Sequence, residues 1–209
     1  MNMKKYKAII YDLDGTLLDT IEMNMVPLLQ IIKEELNEEW KYEDVLKFTS
    51  YTGINALKEL KIKDPEKTHA RWVQYVNAYE KGAKLFDGVE EVIKIIQQKG
   101  IKQAIVSSKK KAQYQIDFVS YGLDQYMDVV ILEEDTIRHK PDPEPIELCL
   151  KQLNLNKEDV IYIGDALGDY KVSQNAGIDF GYAKWGSVIS LDKQPTVVLE
   201  NVKDILLLV

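Results

Sequence analysis

Ala8-Ile9-Ile10-Tyr11-Asp12-Leu13-Asp14-Gly15-Thr16 is the stretch that decides the fold. Its apolar, β-branched opening, Ala8 to Ile10, is short enough for a buried parallel strand and too short for a helix. The run ends on a polar turn that carries two carboxylates. In an open α/β sheet, ligands bind outside the carboxyl ends of the strands, and Gly15 lets the backbone turn sharply close to such a ligand. Asp12 and Asp14, two positions apart, can offer one side chain to a substrate and a second to proton transfer. Standing alone, the same residues would also suit a solvated, Asp-rich turn.

Three later segments repeat the pattern of an apolar strand running into polar residues. Gln103 to Val106 leads into Ser107-Ser108-Lys109, Asp128 to Leu132 is followed by Arg138-His139-Lys140-Pro141-Asp142-Pro143, and Val160 to Ile163 leads into Gly164-Asp165-Ala166-Leu167-Gly168-Asp169. Helical stretches alternate with them: Val89 to Ile96, Ala112 to Tyr121, Glu144 to Leu153 and Asp169 to Ala176. Short strands near Tyr182 and Val198 and a last helix near Leu206 complete the series. Such alternation implies a doubly wound, mostly parallel α/β sheet with helices on both faces, a Rossmann-like core.

Asp12 and Ser107 lie 95 positions apart, whereas a strand-helix-strand crossover needs about 30 residues. The surplus is a helical insertion. Ile21, Met25, Leu28, Leu29, Ile32 and Leu36 form one helical stripe, which Pro27 should kink or divide. Trp72, Val73, Val76 and Tyr79 form another, with Asp64-Pro65 as N-cap and first-turn proline. Tyr42 to Phe48 and Ile54 to Leu60 read as shorter helices around Thr52-Gly53. The expected division is an α/β core of 1–17 and 84–209 and a small all-helical domain of 18–83, with Gly82 giving freedom at one boundary.

Bulk composition narrows the classes. With 209 residues and 45% hydrophobic content the chain can bury a substantial core. A net charge of −7 argues against nucleic-acid or anionic-membrane binding, which needs a clustered basic footprint. No stretch reads as a secretory leader or a membrane span, so the cytoplasm is the expected compartment. Cys149, the single cysteine, lies among Ile146, Leu148 and Leu150 and reads as an inert, buried thiol. Lys109-Lys110-Lys111, the one basic triplet, reads as a solvated helix start or, given its place just after Ser107, as a source of positive potential near an anionic substrate. His69 reads as a surface residue of the insertion and His139 as a loop residue, so histidine or zinc chemistry has little support.

Two aspartates, a hydroxyl, a lysine and a second aspartate pair, in that order, resemble the four motifs of the haloacid dehalogenase superfamily of phosphohydrolases. The resemblance runs from Asp12 to Trp185-Gly186 and includes Ala176-Gly177. It implies that Asp12 is the nucleophile, that Asp14 is the general acid and base, and that Ser107 and Lys140 hold the phosphoryl group. It also implies Mg²⁺ held by the Asp12 side chain, the Asp14 backbone carbonyl and Asp165, with Asp169 behind them, and the insertion as a mobile cap.

Four such acids need a cation in any case. Like charges 4 Å apart repel by about 4 kcal/mol per pair at an effective dielectric near 20, and oxygen ligands, few in number, suit Mg²⁺ better than Zn²⁺ or Ca²⁺. Gly15, Thr16 and Ser108 in the core, and Met23, Asn24, Thr52, Gly53 and Asn55 in the insertion, are candidate substrate contacts. The resemblance implies a phosphatase of the phosphoglycolate or pyrophosphate type, acting on a small phosphorylated metabolite as a monomer or weak homodimer. By the same resemblance, Asp14 implies phosphate ester or anhydride substrates, since the family's dehalogenases and phosphonate hydrolases lack an aspartate at that position. A sugar phosphomutase of the β-phosphoglucomutase type keeps both aspartates and is the alternative, although Asn24 and Thr16 depart from its pattern. A phospho-ligand sensor without turnover is a third reading.

Overall fold

The computed structural model describes residues 4–188 and 190–209. Strand β1 (Ala8–Tyr11) and the two-residue β2 (Leu18–Asp19) precede four helices: α1 (Ile21–Leu36), α2 (Tyr42–Val45), α3 (Gly53–Glu59) and α4 (Pro65–Asn77). The chain then continues through β3 (Lys84–Leu85), α5 (Val89–Gln98), β4 (Lys102–Val106), α6 (Lys111–Asp117) and β5 (Val129–Ile131). It finishes with α7 (Glu144–Leu153), β6 (Val160–Gly164), α8 (Leu167–Ala176), β7 (Asp179–Ala183) and β8 (Val197–Leu199). Two compact units result, Met1–Asp19 with Leu85–Val209, and Thr20–Lys84.

In the α/β unit six strands pair in the order β5-β4-β1-β6-β7-β8, all parallel. From β1 the chain builds outward through β4 and β5, then crosses back to place β6 on the other side of β1. That reversal makes the carboxyl end of β1 the switch point where doubly wound folds bind ligands. Register carries the motifs to the same level, because Tyr11 lies opposite both Ile105 and Ile163. One or two residues further along, all three strands turn polar.

Burial on both faces explains the β-branched composition of these strands. One face packs Ile10, Ala104, Val106 and Tyr162 against Ile146, Cys149 and Leu150 of α7 and Val172 of α8. Gln103 is the buried polar residue of β4, and it is satisfied: its Oε1 accepts from Tyr11 Oη at 3.0 Å and its Nε2 donates to Ile93 O at 3.0 Å.

The helical unit has a core of its own, with Met23, Leu28, Ile31, Ile32, Leu57 and Trp72 among its buried residues. Asp64 caps α4 by accepting from Lys67 N at 3.1 Å, and Pro65 fills the first turn, where a missing N–H costs nothing. Several local expectations are corrected. Pro27 does not divide α1, which runs unbroken for 16 residues. The stretch after Tyr42 is helical only to Val45 and then tightens into a 3₁₀ turn, Leu46–Ser50. Helix α6 stops at Asp117, and Val119–Tyr121 is 3₁₀ up to the left-handed Gly122. The last helix, expected near Leu206, is present as a 3₁₀ helix, Val202–Leu208.

Candidate active site

The β1 loop is a tight coil in which the N–H groups of Thr16, Leu17 and Leu18 all donate to Leu13 O. Gly15 adopts φ +78°, and a side chain there would collide with the Asp165 carboxylate. Gly186 allows a second close approach, since any Cβ would strike the Gly15 carbonyl, and beside it Trp185 Nε1 donates to Thr16 O at 2.9 Å. The Trp185-Gly186 pair thus braces the first motif.

Asp12 is buried, and its Oδ1 accepts from Lys140 Nζ at 2.8 Å. The same ammonium donates to Asp169 Oδ1 at 2.8 Å. Asp169 also accepts from Tyr162 Oη at 3.2 Å and, through Oδ2, from Ala166 N at 3.1 Å, which caps α8. Lys140 therefore bridges two motifs that are 157 positions apart in the chain, with its charge 5.2 Å from the centre of the Tyr162 ring. Asp165 completes the group. Carboxylate oxygens of Asp12, Asp165 and Asp169 all lie within 4.8 Å of one another.

Burial raises the Asp12 carboxyl above the usual range; Lys140 draws it down, while Asp169 and Asp14 push it up. Burial also raises Asp165 strongly, with Asp169 and Asp12 adding to the effect. For Lys140, burial works against the ammonium but Asp12 and Asp169 outweigh it, so its pKa rises. One buried lysine does not balance three acids. A donor set made only of oxygen, with proton affinity raised by burial and by neighbouring acids, fits a divalent cation such as Mg²⁺.

Ser107 is buried at the end of β4, and its N–H donates to Ile131 O at 3.0 Å. Ser107, the exposed Ser108, His139 and Lys140 line one narrow recess of about 10 Å³. Thr16 is fully buried and donates its hydroxyl to Asp165 Oδ1 at 3.3 Å. In the helical unit, Met23 is a core residue, which corrects its reading as a substrate contact. Asn24 is held inside that unit, its Nδ2 donating to Thr20 O at 2.8 Å and its carbonyl accepting from Trp72 Nε1 at 3.0 Å. Thr52 caps α3 by accepting from Asn55 N at 3.4 Å. Gly53 packs against the His69 ring, which is half-buried and not a surface group. Thr52 and Asn55, with Tyr51, Lys58 and Glu59, line an open depression of about 500 Å³.

The basic triplet also needs correction. Lys110 and Lys111 are exposed, but the Lys109 side chain is only 7% exposed. Its Nζ stands 2.7 Å from Asp117 Oδ2 and 3.0 Å from Asp14 Oδ1. Burial lowers the pKa of this ammonium, but the two carboxylates outweigh it and the net shift is upward. Nothing in a run of three lysines marks which one turns inward. The tyrosine tip in the aliphatic strand Val160–Ile163 was a readable signal for Tyr162, and it was missed.

Residues 9–183 match the family described as haloacid dehalogenase-like hydrolase. The chain belongs to that family. This haloacid dehalogenase-like hydrolase is 28% identical over 203 residues to the pyrophosphatase PpaX of Halalkalibacterium halodurans, covering 95% of this chain and 94% of the relative. It is 30% identical over 211 residues to PpaX of Listeria monocytogenes, covering 98% and 97%. Its fold matches that of a protein from Lactobacillus plantarum assigned as a phosphoglycolate phosphatase, with a TM-score of 0.89 at 23% identity, covering 98% of this chain and all of the other. No described helix of the hydrolase is long and apolar enough to cross a membrane.

Proposed function

We propose that this hydrolase is a Mg²⁺-dependent phosphatase that acts on a small phosphate ester or anhydride through an aspartyl-phosphate on Asp12. The observation that carries the reading is the Lys140 bridge, which fixes Asp12 Oδ1 and Asp169 Oδ1 and leaves Asp12 Oδ2 without that constraint. Asp12 attacks phosphorus in line, dividing one difficult transfer into two easier ones. Asp14 protonates the leaving oxygen and then takes a proton from the water that cleaves the intermediate. Lys140 and the Ser107 hydroxyl donate to the phosphoryl oxygens, where charge is spread in the transition state.

A bound Mg²⁺ would be held by the Asp12 and Asp165 carboxylates and the Asp14 carbonyl, and would supply charge neutralisation for both the acids and the phosphoryl group. The helical unit is the cap of this reading, with Thr52 and Asn55 as its substrate contacts. Pyrophosphate and phosphoglycolate are the first substrates to test, because the relatives' names point to them.

Phosphate release from p-nitrophenyl phosphate, pyrophosphate and phosphoglycolate, measured with Mg²⁺ and with EDTA, tests the proposal. We expect EDTA to abolish release and Asp12→Asn to lower it by at least about 10³-fold, as loss of a nucleophile does. Release that survives both treatments would end the reading.

A further inference from the structure

Lys109 is the one buried ammonium among the described residues that the proposed chemistry leaves without a task, and its surroundings are fixed on every side. Its backbone N–H donates to Ser107 Oγ at 3.4 Å and its carbonyl accepts from Glu133 N at 3.1 Å, so the main chain is tied to the ends of β4 and β5. Its head is held by Asp117, whose side chain is 2% exposed. Gln113 Nε2 in turn donates to Asp117 Oδ1 at 2.8 Å.

The free end of this chain of contacts is Asp14. That side chain is 41% exposed as a whole, yet its Oδ1 is buried and has no well-angled hydrogen-bond donor among the described residues. Lys109 Nζ, 3.0 Å away, is its ion-pair neighbour. A carboxylate so placed would otherwise be free to swing between staggered rotamers. With two carboxylates already around it and 7% exposure, the ammonium is not placed to take a substrate phosphate as well.

We propose that Lys109, anchored by Asp117, is a positioning residue that holds the Asp14 carboxylate where it exchanges its proton with the leaving oxygen. The proposal rests on the reading of Asp12 and Asp14 given above. It predicts a dependence on the leaving group that neither a phosphate-binding lysine nor a merely structural one would give. A leaving group that departs unprotonated does not need Asp14, whereas a poor one does.

The experiment measures kcat/KM, which reports the steps through phosphorylation, across 2,4-dinitrophenyl, 4-nitrophenyl, phenyl and alkyl phosphates. For Lys109→Met we expect a loss of about 10- to 100-fold with phenyl and alkyl phosphates, in the range of a misplaced general acid. With 2,4-dinitrophenyl phosphate the loss is less than about 3-fold by the same argument. Asp117→Asn gives the same graded loss, smaller in size, and carries the test should Lys109→Met fail to fold. Lys109→Arg restores part of the activity on phenyl phosphate.

A loss equal for every leaving group, or no loss for any, overturns the role. Asp12→Asn separates the two levels of the argument. A wild type that depends on Asp12 while Lys109→Met is flat sinks the positioning role alone. A wild type that releases no phosphate sinks the reading of the site, and this role with it.

Discussion

At the scale of single residues, the site depends on side chains that have no place in the reaction but fix those that do. Tyr162 is the clearest case. Its hydroxyl lies 2.7 Å from Val106 O and 3.2 Å from Asp169 Oδ1, joining the strand that delivers Ser107 to the carboxylate that holds Lys140. Burial and the neighbouring acids keep the phenol neutral, so it remains a donor. Tyr162→Phe keeps the ring under Lys140 and deletes the hydrogen bonds. We expect a stability loss of about 1 kcal/mol, the net worth of a typical hydrogen bond. We also expect kcat/KM to fall by a similar factor for every leaving group, because the role proposed for Lys140 is on the phosphoryl group itself. A loss confined to poor leaving groups would show that the hydroxyl acts through Asp14 instead.

At the scale of elements, β7 is held to the N-terminal segment by one carboxylate. Asp179 Oδ2 accepts from Lys4 Nζ at 2.6 Å and from Tyr6 Oη at 3.0 Å, and its Oδ1 accepts from Thr196 Oγ1 at 3.3 Å. Burial alone would raise its pKa, but these donors outweigh burial and hold the carboxyl below the usual carboxylate range. A carboxyl depressed by folding contributes stability above its unfolded pKa and loses that contribution as the pH falls through the folded value. Wild type should therefore exceed Asp179→Asn by at most about 1 kcal/mol at pH 7, given the partial exposure of the pair. The gap should close as the pH falls through the usual carboxylate range and below it. Urea melts of both proteins from pH 7 to pH 3 check this, and a gap that widens in acid would refute it.

Elements also show what could be read from the sequence and what could not. Strand ends were legible because a strand buried on both faces must be apolar throughout, so the first polar residue after Ile10, Val106 or Ile163 marks where the strand gives way to a loop. Helix interiors were less so. Pro27 removes one backbone donor, yet burial of Leu28, Ile31 and Ile32 beyond it outweighs that loss and α1 continues. The inward turn of Lys109 is not legible for a different reason: it depends on Asp117 and Asp14, and no feature of a lysine triplet marks which member meets them.

At the scale of the whole molecule, the two units keep separate hydrophobic cores, one around Ile10 and Tyr162 and one around Ile31 and Trp72. The crowded acids belong to the first alone. In the absence of a cation these carboxyls, raised first by burial and further by the neighbouring acids, work against that core. A ligand that binds the folded state and not the unfolded one stabilises it by about 2.7 kcal/mol at one hundred times its Kd, which corresponds to about 100-fold in the opening equilibrium. Hydrogen exchange resolves where that stability appears. With Mg²⁺ at this level, amides of β1 and β6 should exchange up to about 100-fold more slowly, whereas those of α1 and α4 should change little. Asp165→Asn should remove the effect. Slowing of β1 and β6 that persists in Asp165→Asn would place the cation elsewhere, and no slowing in the wild type would remove it from the site.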